Sequence, residues 1–258
     1  MAQDDVVTVE RTGAVANVTL NRPKVRNAFN FELRSRLTEA VKVVSEDEEI
    51  RVVVLAGNGE GFCAGADLGE GISQSVTVQI ENEYKPFLMA IAESPKIWIA
   101  AVNGAAAGIG GALAMTCDLM VMEDDASIYL AFAAIGLIPD GGTTWHLLHA
   151  MGYARAFRTI VEGRRIPASE CLELGIANTV VAKGRALEEA GEWAERLALG
   201  APLAQATAKR VLRHVGRMRL QDAITLEAKA QQPLTESEDF ANAVAAFLAK
   251  QKPVFKGK

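Results

Sequence analysis

Short apolar runs alternate with amphipathic stretches along the front half of the chain. The runs 6–11 and 14–20 flank Thr12 and Gly13 and predict a hairpin of two strands. Apolar residues then recur at helical spacing up to the acidic run 46–49 and predict a helix that contains Phe31, Leu33, Leu37, Ala40, Val41 and Val44. The uniformly apolar runs 51–56 and 97–102 predict strands that are buried on both faces, as in a parallel sheet.

The second half of the chain changes from alternation to an almost continuous helical pattern. Residues 118–123 and 128–130 predict two further short strands, and 136–142 predicts a turn. Beyond that turn the pattern is helical, except for a short apolar strand at 178–181. Strand–helix–strand alternation followed by a helical tail predicts an α/β fold, with a parallel sheet flanked by helices and a helical appendage.

Two of the predicted buried strands run directly into glycine-rich bends. The strand 51–56 leads into the bend 57–68, and the strand 97–102 leads into the bend 103–111. Ligands of parallel α/β sheets bind beyond the carboxyl ends of the strands, where both bends would lie. Bends that lack side chains leave backbone N–H groups accessible, so two converging bends predict an oxyanion hole.

The second bend lacks the residues of two common phosphate-binding loops. A P-loop requires Gly-Lys-Ser/Thr, whereas Gly110-Gly111-Ala112 has neither the lysine nor the hydroxyl. A dinucleotide fingerprint requires a third glycine where Leu113 stands, which argues against a dehydrogenase. Taken alone, the bend is equally well explained as a tight packing of small residues.

Composition narrows the class of protein further. The chain has 258 residues, is 50% hydrophobic and 23% charged, and carries a net charge of −5. Such an acidic globular chain is not expected to bind nucleic acid or anionic membranes without sequence specificity. The three cysteines, Cys63, Cys117 and Cys171, are widely spaced and predict reduced thiols, with neither disulfides nor a metal site. The first residues carry no secretory signal, so we expect a cytoplasmic protein.

Several separate motifs, in order along the chain, resemble those of the crotonase (enoyl-CoA hydratase/isomerase) family. The resemblance extends from Asn21-Arg-Pro to the tail and includes Gly61-Phe-Cys-Ala-Gly-Ala-Asp-Leu68, Val102-Asn-Gly-Ala-Ala-Ala-Gly108, Cys117-Asp118 and Gly136-Leu-Ile-Pro-Asp-Gly-Gly142. It implies a crotonase-like spiral of ββα units over residues 1–197, which carries an acyl-CoA site. Residues 198–258 would then form a C-terminal helical trimerisation region.

The same resemblance implies the partners and the oxyanion donors. It implies acyl-CoA thioester substrates, homotrimers that often pair into hexamers, and no cofactor other than the coenzyme A of the substrate. The family's oxyanion donors fall on the backbone N–H groups of Ala66 and Ile109. Ile109 stands where the family often has glycine, so its side chain is expected to narrow the pocket.

The chain departs from the hydratases of the family at both of their catalytic glutamates. Those positions fall on Ala112 and Phe132, and neither side chain can hold a proton. Water addition needs groups that activate the water and manage a proton at Cα, so efficient hydration is not expected. Asp140 stands where certain isomerases of the family carry a carboxylate, and residues 131–140 resemble the ring-epoxide isomerase of phenylacetyl-CoA degradation most.

Asp140 has two possible roles. A carboxylate between Pro139 and Gly141 is a good N-cap for the helix that follows, and the local residues alone favour that role. The resemblance favours a catalytic base instead: a single carboxylate can move a proton from Cα to Cγ. A hydratase that uses Asp140 with water, and a catalytically silent acyl-CoA-binding protein, remain alternatives.

Further residues are assigned to substrate and coenzyme A binding by the resemblance. The basic loop would lie beside the nucleotide and pantetheine, and the tail would reach coenzyme A from a neighbouring subunit. The set is Arg22, Lys24, Arg26, Ala28, Ala64, Asp67, Leu68, Gly108, Phe132, Phe255 and Lys256. Asp67 and Asp118 are expected to be structural, and His146 to be packed or on the surface. Glu81, Glu83 and Tyr84 fit a solvated helix face better than a pocket lining.

Overall fold

The structure, a computed structural model, describes residues 5–71, 75–216 and 218–258. The expected mobile loop before Val76 includes residues 72–74 and so lies partly outside the described residues. The strands of the described residues are β1 (Val7–Thr12), β2 (Val15–Leu20), β3 (Val52–Gly57), β4 (Ile97–Val102), β5 (Ala105–Ala107), β6 (Leu119–Glu123), β7 (Ser127–Tyr129), β8 (Arg165–Pro167) and β9 (Thr179–Val181).

The helices follow the apolar periodicity of the sequence. They are α1 (Phe31–Glu46), α2 (Val76–Gln79), α3 (Lys85–Glu93), α4 (Ile109–Thr116), α5 (Thr143–Val161), α6 (Ala168–Glu173), α7 (Ala186–Ala198), α8 (Pro202–Val215), α9 (Leu220–Thr235) and α10 (Glu238–Leu248). A π-helical turn at Ile80–Tyr84 joins α2 to α3, and a 3₁₀ turn at Ala131–Ile135 precedes the Asp140 loop.

Two sheets form the core, and they put the two glycine bends at one edge. The larger sheet has the order β1-β2-β3-β4-β6-β9, and all its neighbours are parallel except the β1–β2 hairpin. The smaller sheet has the order β5-β7-β8. Because β3 and β4 are parallel neighbours, the bends that follow them begin side by side, as predicted.

Apolar side chains cover both faces of the larger sheet. One face packs against α1, α3 and α4 through residues that include Leu33, Phe87 and Leu113. The other face is covered by the alanine stripe of α7, at positions 186, 190, 194 and 198. The apolar segment 97–122 is therefore a buried strand–helix–strand unit, and no helix of the described residues is long and apolar enough to span a membrane.

An ion-paired cluster fixes α8 to the core. The Asp118 carboxylate accepts hydrogen bonds from the backbone N–H of Trp98 at 3.0 Å and from Arg213 at 2.9 Å, and it pairs with Lys209 at 2.8 Å. The Lys209 Nζ also donates to the carbonyls of Ile91 and Lys96. Asp118 is therefore structural, as expected.

The main difference from the predicted elements lies in the second bend. Its alanines form β5, which pairs in parallel with β7. Three alanines carry no β-branched or aromatic signal, so the strand arises from tertiary pairing and not from local propensity. The boundary between residues 197 and 198 stays a prediction; α7 packs on the sheet up to Ala198.

Candidate active site

The first glycine bend is held in place by a buried asparagine that the sequence analysis did not single out. Asn27 is fully buried, and its Nδ2 lies 3.0, 2.9 and 3.1 Å from the carbonyl oxygens of Asn58, Gly61 and Phe62. Its Oδ1 accepts a hydrogen bond from the Arg22 N–H at 2.8 Å. One side chain thus ties the basic loop to the bend, and its left-handed φ of +57° is one that asparagine tolerates well.

The two bends are bonded to each other, as their predicted convergence requires. The Cys63 N–H donates to the Ala105 carbonyl at 3.1 Å, and the Ala107 N–H donates to the Cys63 carbonyl at 2.8 Å. A Cβ on Gly110 would lie 2.6 Å from the Cβ of Cys63, so glycine is required for this close approach.

The two predicted oxyanion donors are backbone N–H groups at the ends of the two glycine bends. The N–H groups of Ala66 and Ile109 have no acceptor among the residues that the structure describes. The residues on both sides of Ala66 are fixed by the backbone of Phe29. The Phe29 N–H donates to the Gly65 carbonyl, and the Phe29 carbonyl accepts from the Asp67 N–H. Ile109 begins α4, where the helix dipole adds to the positive potential of the amide. Both amides are therefore available to bind an oxygen.

Asp140 is a half-buried carboxylate in the loop before α5. Its Oδ1 is buried and has no hydrogen-bond partner in the described part of the chain. Burial raises the pKa of Asp140 above its ordinary value, although a backbone hydrogen bond opposes the shift. A carboxyl group of this kind takes up a proton more readily than an exposed aspartate.

Asp140 does not cap the helix. The N-cap of α5 is Gly142, in a left-handed conformation with φ of +85°, and no side chain caps the helix. Only the main-chain carbonyl of Asp140 bonds to α5, through the Thr143 N–H at 3.0 Å. The local residues favoured the cap, and that interpretation is wrong, because two glycines move the start of the helix away from the carboxylate.

A buried tyrosine lies near these groups, contrary to the expectation of a solvated helix face. Tyr84 is 3% exposed and packs edge-on against Phe29 and Phe87, with ring centroids 6.1 Å apart in both pairs. Its neighbour Glu83 pairs with the buried Arg34 at 2.6 Å. Glu81 alone fits the expectation, since it is exposed and pairs with Lys85. The helical spacing from Tyr84 to Phe87 and Leu88 could have indicated the buried face.

Comparison with known proteins agrees with this geometry. The family described as enoyl-CoA hydratase/isomerase matches residues 10–258. The chain belongs to the enoyl-CoA hydratase/isomerase family. It is 36% identical to the 1,2-epoxyphenylacetyl-CoA isomerase of Escherichia coli, over 95% of each chain, and 34% identical to the 2,3-dehydroadipyl-CoA hydratase of the same organism, over 97% of this chain and 98% of that one.

A solved structure supports the fold. The crystal structure of an enoyl-CoA hydratase from Bacillus anthracis superposes with a TM-score of 0.93 at 31% identity, over 98% of this chain and 100% of that one. The crotonase fold with a helical C-terminal region is thereby confirmed. The relatives include both an isomerase and a hydratase, so they establish an enzyme of this family and leave its reaction to the site.

The two positions of the hydratase glutamates are apolar and closely packed. Ala112 is fully buried and lies against the Asp140 loop. A methyl group added to Gly141, the residue after Asp140, would come within 2.8 Å of the Ala112 Cβ. Phe132 is 8% exposed, and its ring lies beside Gly108, the residue before Ile109. A methyl group added to Gly108 would come within 3.7 Å of the edge of that ring. Neither position therefore holds a group that can exchange a proton, and Ala112 packs against the loop that carries Asp140.

The basic loop is only partly free to bind an anion. Arg22 donates to the Ala28 carbonyl and pairs with Asp67 at 3.2 Å, while Asp67 also accepts from the Gly69 N–H. Asp67 thus fixes its loop, as expected. The side chains of Lys24 and Arg26 are exposed and make no ion pair or hydrogen bond with the described residues. The coenzyme A contacts of all three basic residues stay predictions.

The remaining predicted binding residues fall in two places. Ala64, Ala66 and Leu68 are exposed along the first bend, with Leu68 72% exposed. Phe255 and Lys256 lie elsewhere: the Phe255 carbonyl accepts from Arg51, at the opposite end of β3 from the bend. Within one chain the tail therefore does not approach the bends, and its role toward a neighbouring subunit stays a prediction.

The three cysteines and His146 are packed within the folded chain. All three cysteines are free and buried, and burial raises the pKa of Cys63 to about 12. His146 packs against Thr116, with Nε2 and Oγ1 3.4 Å apart, and burial lowers its pKa to about 4. His146 is thus a packed neutral residue, as expected, and lines an apolar cavity of about 1080 Å³ beside Gly141 and Gly142.

Proposed function

We propose that this enzyme is an acyl-CoA isomerase that shifts a double bond, from Δ3 to Δ2 in an enoyl-CoA or in the manner of a ring-epoxide phenylacetyl-CoA isomerase. The observation that carries the proposal is the lone carboxylate. Asp140 has a buried oxygen without a partner and a raised pKa, while the two hydratase glutamate positions hold Ala112 and Phe132. Asp140 is therefore the carboxylate proposed to take the proton from carbon, and the two positions of the hydratase glutamates hold side chains that cannot activate water.

The reaction needs only that one base. Asp140 takes a proton from Cα of the thioester, and the electron pair moves onto the carbonyl oxygen to form an enolate. The β,γ double bond spreads this charge to Cγ, where the protonated Asp140 returns the proton; the C=C bond then lies between Cα and Cβ, and the carboxylate is regenerated. The scheme involves no water, which is consistent with a site whose two hydratase glutamate positions hold Ala112 and Phe132.

The amides of Ala66 and Ile109 are proposed to hold the enolate oxygen. Each donor of such a hole contributes on the order of 3 kcal/mol to the transition state. Lys24 and Arg26 are proposed to neutralise the phosphates of coenzyme A, because both cations are exposed and without ion-pair partners among the described residues. No other cofactor enters the scheme.

We also propose that the enzyme works as a trimer or as a hexamer of two trimers. Large apolar side chains on the C-terminal helices are exposed, including Leu212 at 70%, Leu220 at 77% and Phe247 at 81%. Exposed apolar surface of this extent is typical of an interface between protein chains. Sedimentation equilibrium should give three or six times the 27.5 kDa chain mass; a monomer would contradict the proposal.

The test of the reaction compares two substrates and two variants. Ultraviolet absorbance follows conversion of a 3-enoyl-CoA to its 2-enoyl isomer, and a parallel assay supplies a 2-enoyl-CoA and follows hydration. We expect wild type to isomerise and not to hydrate, and Asp140→Asn and Asp140→Ala to lose most of the rate while still binding the thioester. Full activity in either variant would refute the base, and fast hydration would favour an atypical hydratase. Binding without either reaction would favour a silent homologue.

A further inference from the structure

The loop that carries Asp140 has few bonds of its own. Between Leu137 and Thr143, no backbone N–H donates a hydrogen bond to another described residue. No other side chain of the described residues bonds or pairs with the Asp140 carboxylate. The position of the carboxylate therefore depends on how the loop packs against its neighbours.

Gly141, the residue after Asp140, packs against the side chain of Ile109. A Cβ added to Gly141 would lie 2.4 Å from the Ile109 Cδ1 and 2.8 Å from the Ala112 Cβ. Carbon atoms of packed side chains do not approach this closely, so the loop fits here only because residue 141 is glycine. Ile109 is 3% exposed, and its backbone N–H is one of the two proposed oxyanion donors. One residue thus carries the oxyanion amide on its backbone and contacts the Asp140 loop with its side chain.

Open space lies next to this contact. The cavity of about 1080 Å³ is lined by Gly141 and Leu88, but not by Ile109 or Ala112. The loop can therefore accommodate a methyl group on Gly141 by moving toward the cavity, and the loss of a methyl group from Ile109 lets the loop move the other way. Either change would displace Asp140 while the backbone N–H of Ile109 stays at the start of α4.

We propose that the side chain of Ile109 positions the Asp140 carboxylate for proton transfer. By fixing Gly141, it sets the place of the base relative to the backbone amide that holds the thioester oxygen. Proton transfer depends steeply on this geometry, because a misplacement of about 1 Å can lower a rate about 100-fold. This inference rests on the proposed isomerase function and adds to it the group that positions the base.

The test adds and removes single methyl groups at this contact. Gly141→Ala adds one, Ile109→Val removes one, and a double variant combines the two changes. Gly142→Ala is the control for backbone strain: Gly141 and Gly142 have φ of +60° and +85°, but a Cβ on Gly142 would meet only the His146 ring, at 3.9 Å. Ile99→Val is the control for the loss of a buried methyl group, because Ile99 is fully buried on the other face of the larger sheet, against α7.

Four measurements are made on each variant. The rate of 3-enoyl-CoA isomerisation gives kcat and KM separately. Difference infrared spectroscopy of bound hexanoyl-CoA, which has no double bond to move, reports how strongly the oxyanion amides polarise the thioester carbonyl. Crystal structures give the shift of the Asp140 Cα, and thermal unfolding reports any loss of packing.

We expect Gly141→Ala to lower kcat about 100-fold and Ile109→Val to lower it about 10-fold, with KM and the carbonyl frequency nearly unchanged. The double variant should be more active than Gly141→Ala, because the two changes compensate at one contact. Gly142→Ala and Ile99→Val should leave kcat nearly unchanged.

Equal losses of kcat in Gly141→Ala and Gly142→Ala would identify backbone strain as the cause and would overturn the inference, as would full activity in Ile109→Val. A change of the carbonyl frequency in Ile109→Val would assign the effect to the amide and would also overturn it. If wild type isomerised no thioester, the proposed function would fail, while the shift of Asp140 in the crystal structures would still decide the role of Ile109.

Discussion

Asn27 should be one of the most sensitive positions outside the chemistry, and Asn27→Ala tests this. The substitution leaves the Gly61 and Phe62 carbonyls, which Nδ2 approaches to 2.9 and 3.1 Å, without their buried donor. Each unsatisfied buried group costs about 1–3 kcal/mol. An alanine at φ of +57° adds about 1 kcal/mol of backbone strain. Together these terms predict a loss of about 3–7 kcal/mol in the free energy of unfolding.

The measurement is urea unfolding at fixed protein concentration, followed by tryptophan fluorescence and circular dichroism. Asn27→Gly removes the same hydrogen bonds but tolerates the left-handed backbone, so it should be about 1 kcal/mol more stable than Asn27→Ala. Asn58→Ala is the control: its exposed amide makes one bond, to Asn21, and should cost about 0.5 kcal/mol. A loss below 1 kcal/mol in Asn27→Ala would refute the assignment of Asn27 as the tie between loop and bend.

Three further predictions concern charged and titratable groups. Asp118→Ala should cost about 3–5 kcal/mol in urea unfolding, because it leaves the Lys209 ammonium, 8% exposed, without its counter-charge. Asp140→Asn should raise the melting temperature at pH 7: burial raises the pKa of Asp140, so the native state binds the proton more tightly and loses stability as pH rises above about 4. His146→Gln should unfold less readily in acid. Burial lowers the pKa of His146 to about 4, so the unfolded state binds the proton more tightly and the native state loses stability as pH falls below about 6.5.

Each of these has an outcome that would contradict it. Glu162→Ala is the control for Asp118→Ala, because it removes an exposed ion pair with Arg158 and should change the free energy of unfolding by about 0.5 kcal/mol or less. A loss in Asp118→Ala as small as that of the control would contradict the prediction. An Asp140→Asn variant that melts below wild type at pH 7 would argue that the carboxylate stabilises the fold. If His146→Gln unfolded at the same pH as wild type, the neutral buried imidazole would not be a source of acid sensitivity.

The strands β3 and β4 and the position of the bends that follow them could be predicted because they depend on local signals. The β-branched run 51–56 and the apolar run 97–102 read as buried strands in any context, and each is followed by glycines. The convergence of the bends followed from the parallel pairing of β3 and β4. The hydrogen bonds that join the two bends through Cys63 could not be predicted from the sequence. Backbone groups form these bonds, so the pattern of side chains along the chain does not indicate them.

The side chains that organise the site were harder to anticipate. Asn27 reads as one polar residue in a basic loop, and only the folded chain brings three carbonyl oxygens around its amide. Tyr84 stands in a polar stretch beside Glu81 and Glu83, which made a solvated face the simpler interpretation. Asp140 matched a helix cap by composition, and the glycines after it decided otherwise only once their φ values were known.

The central claim is that one carboxylate moves a proton from Cα to Cγ without water, and isotope transfer tests it most directly. Wild type and Asp140→Ala are each given a 3-enoyl-CoA labelled with deuterium at Cα, and the products are followed by NMR and mass spectrometry. We predict that wild type forms the 2-enoyl-CoA with deuterium at Cγ and no 3-hydroxyacyl-CoA, and that Asp140→Ala forms almost none. Accumulation of 3-hydroxyacyl-CoA, or equal deuterium transfer by Asp140→Ala, would contradict the claim.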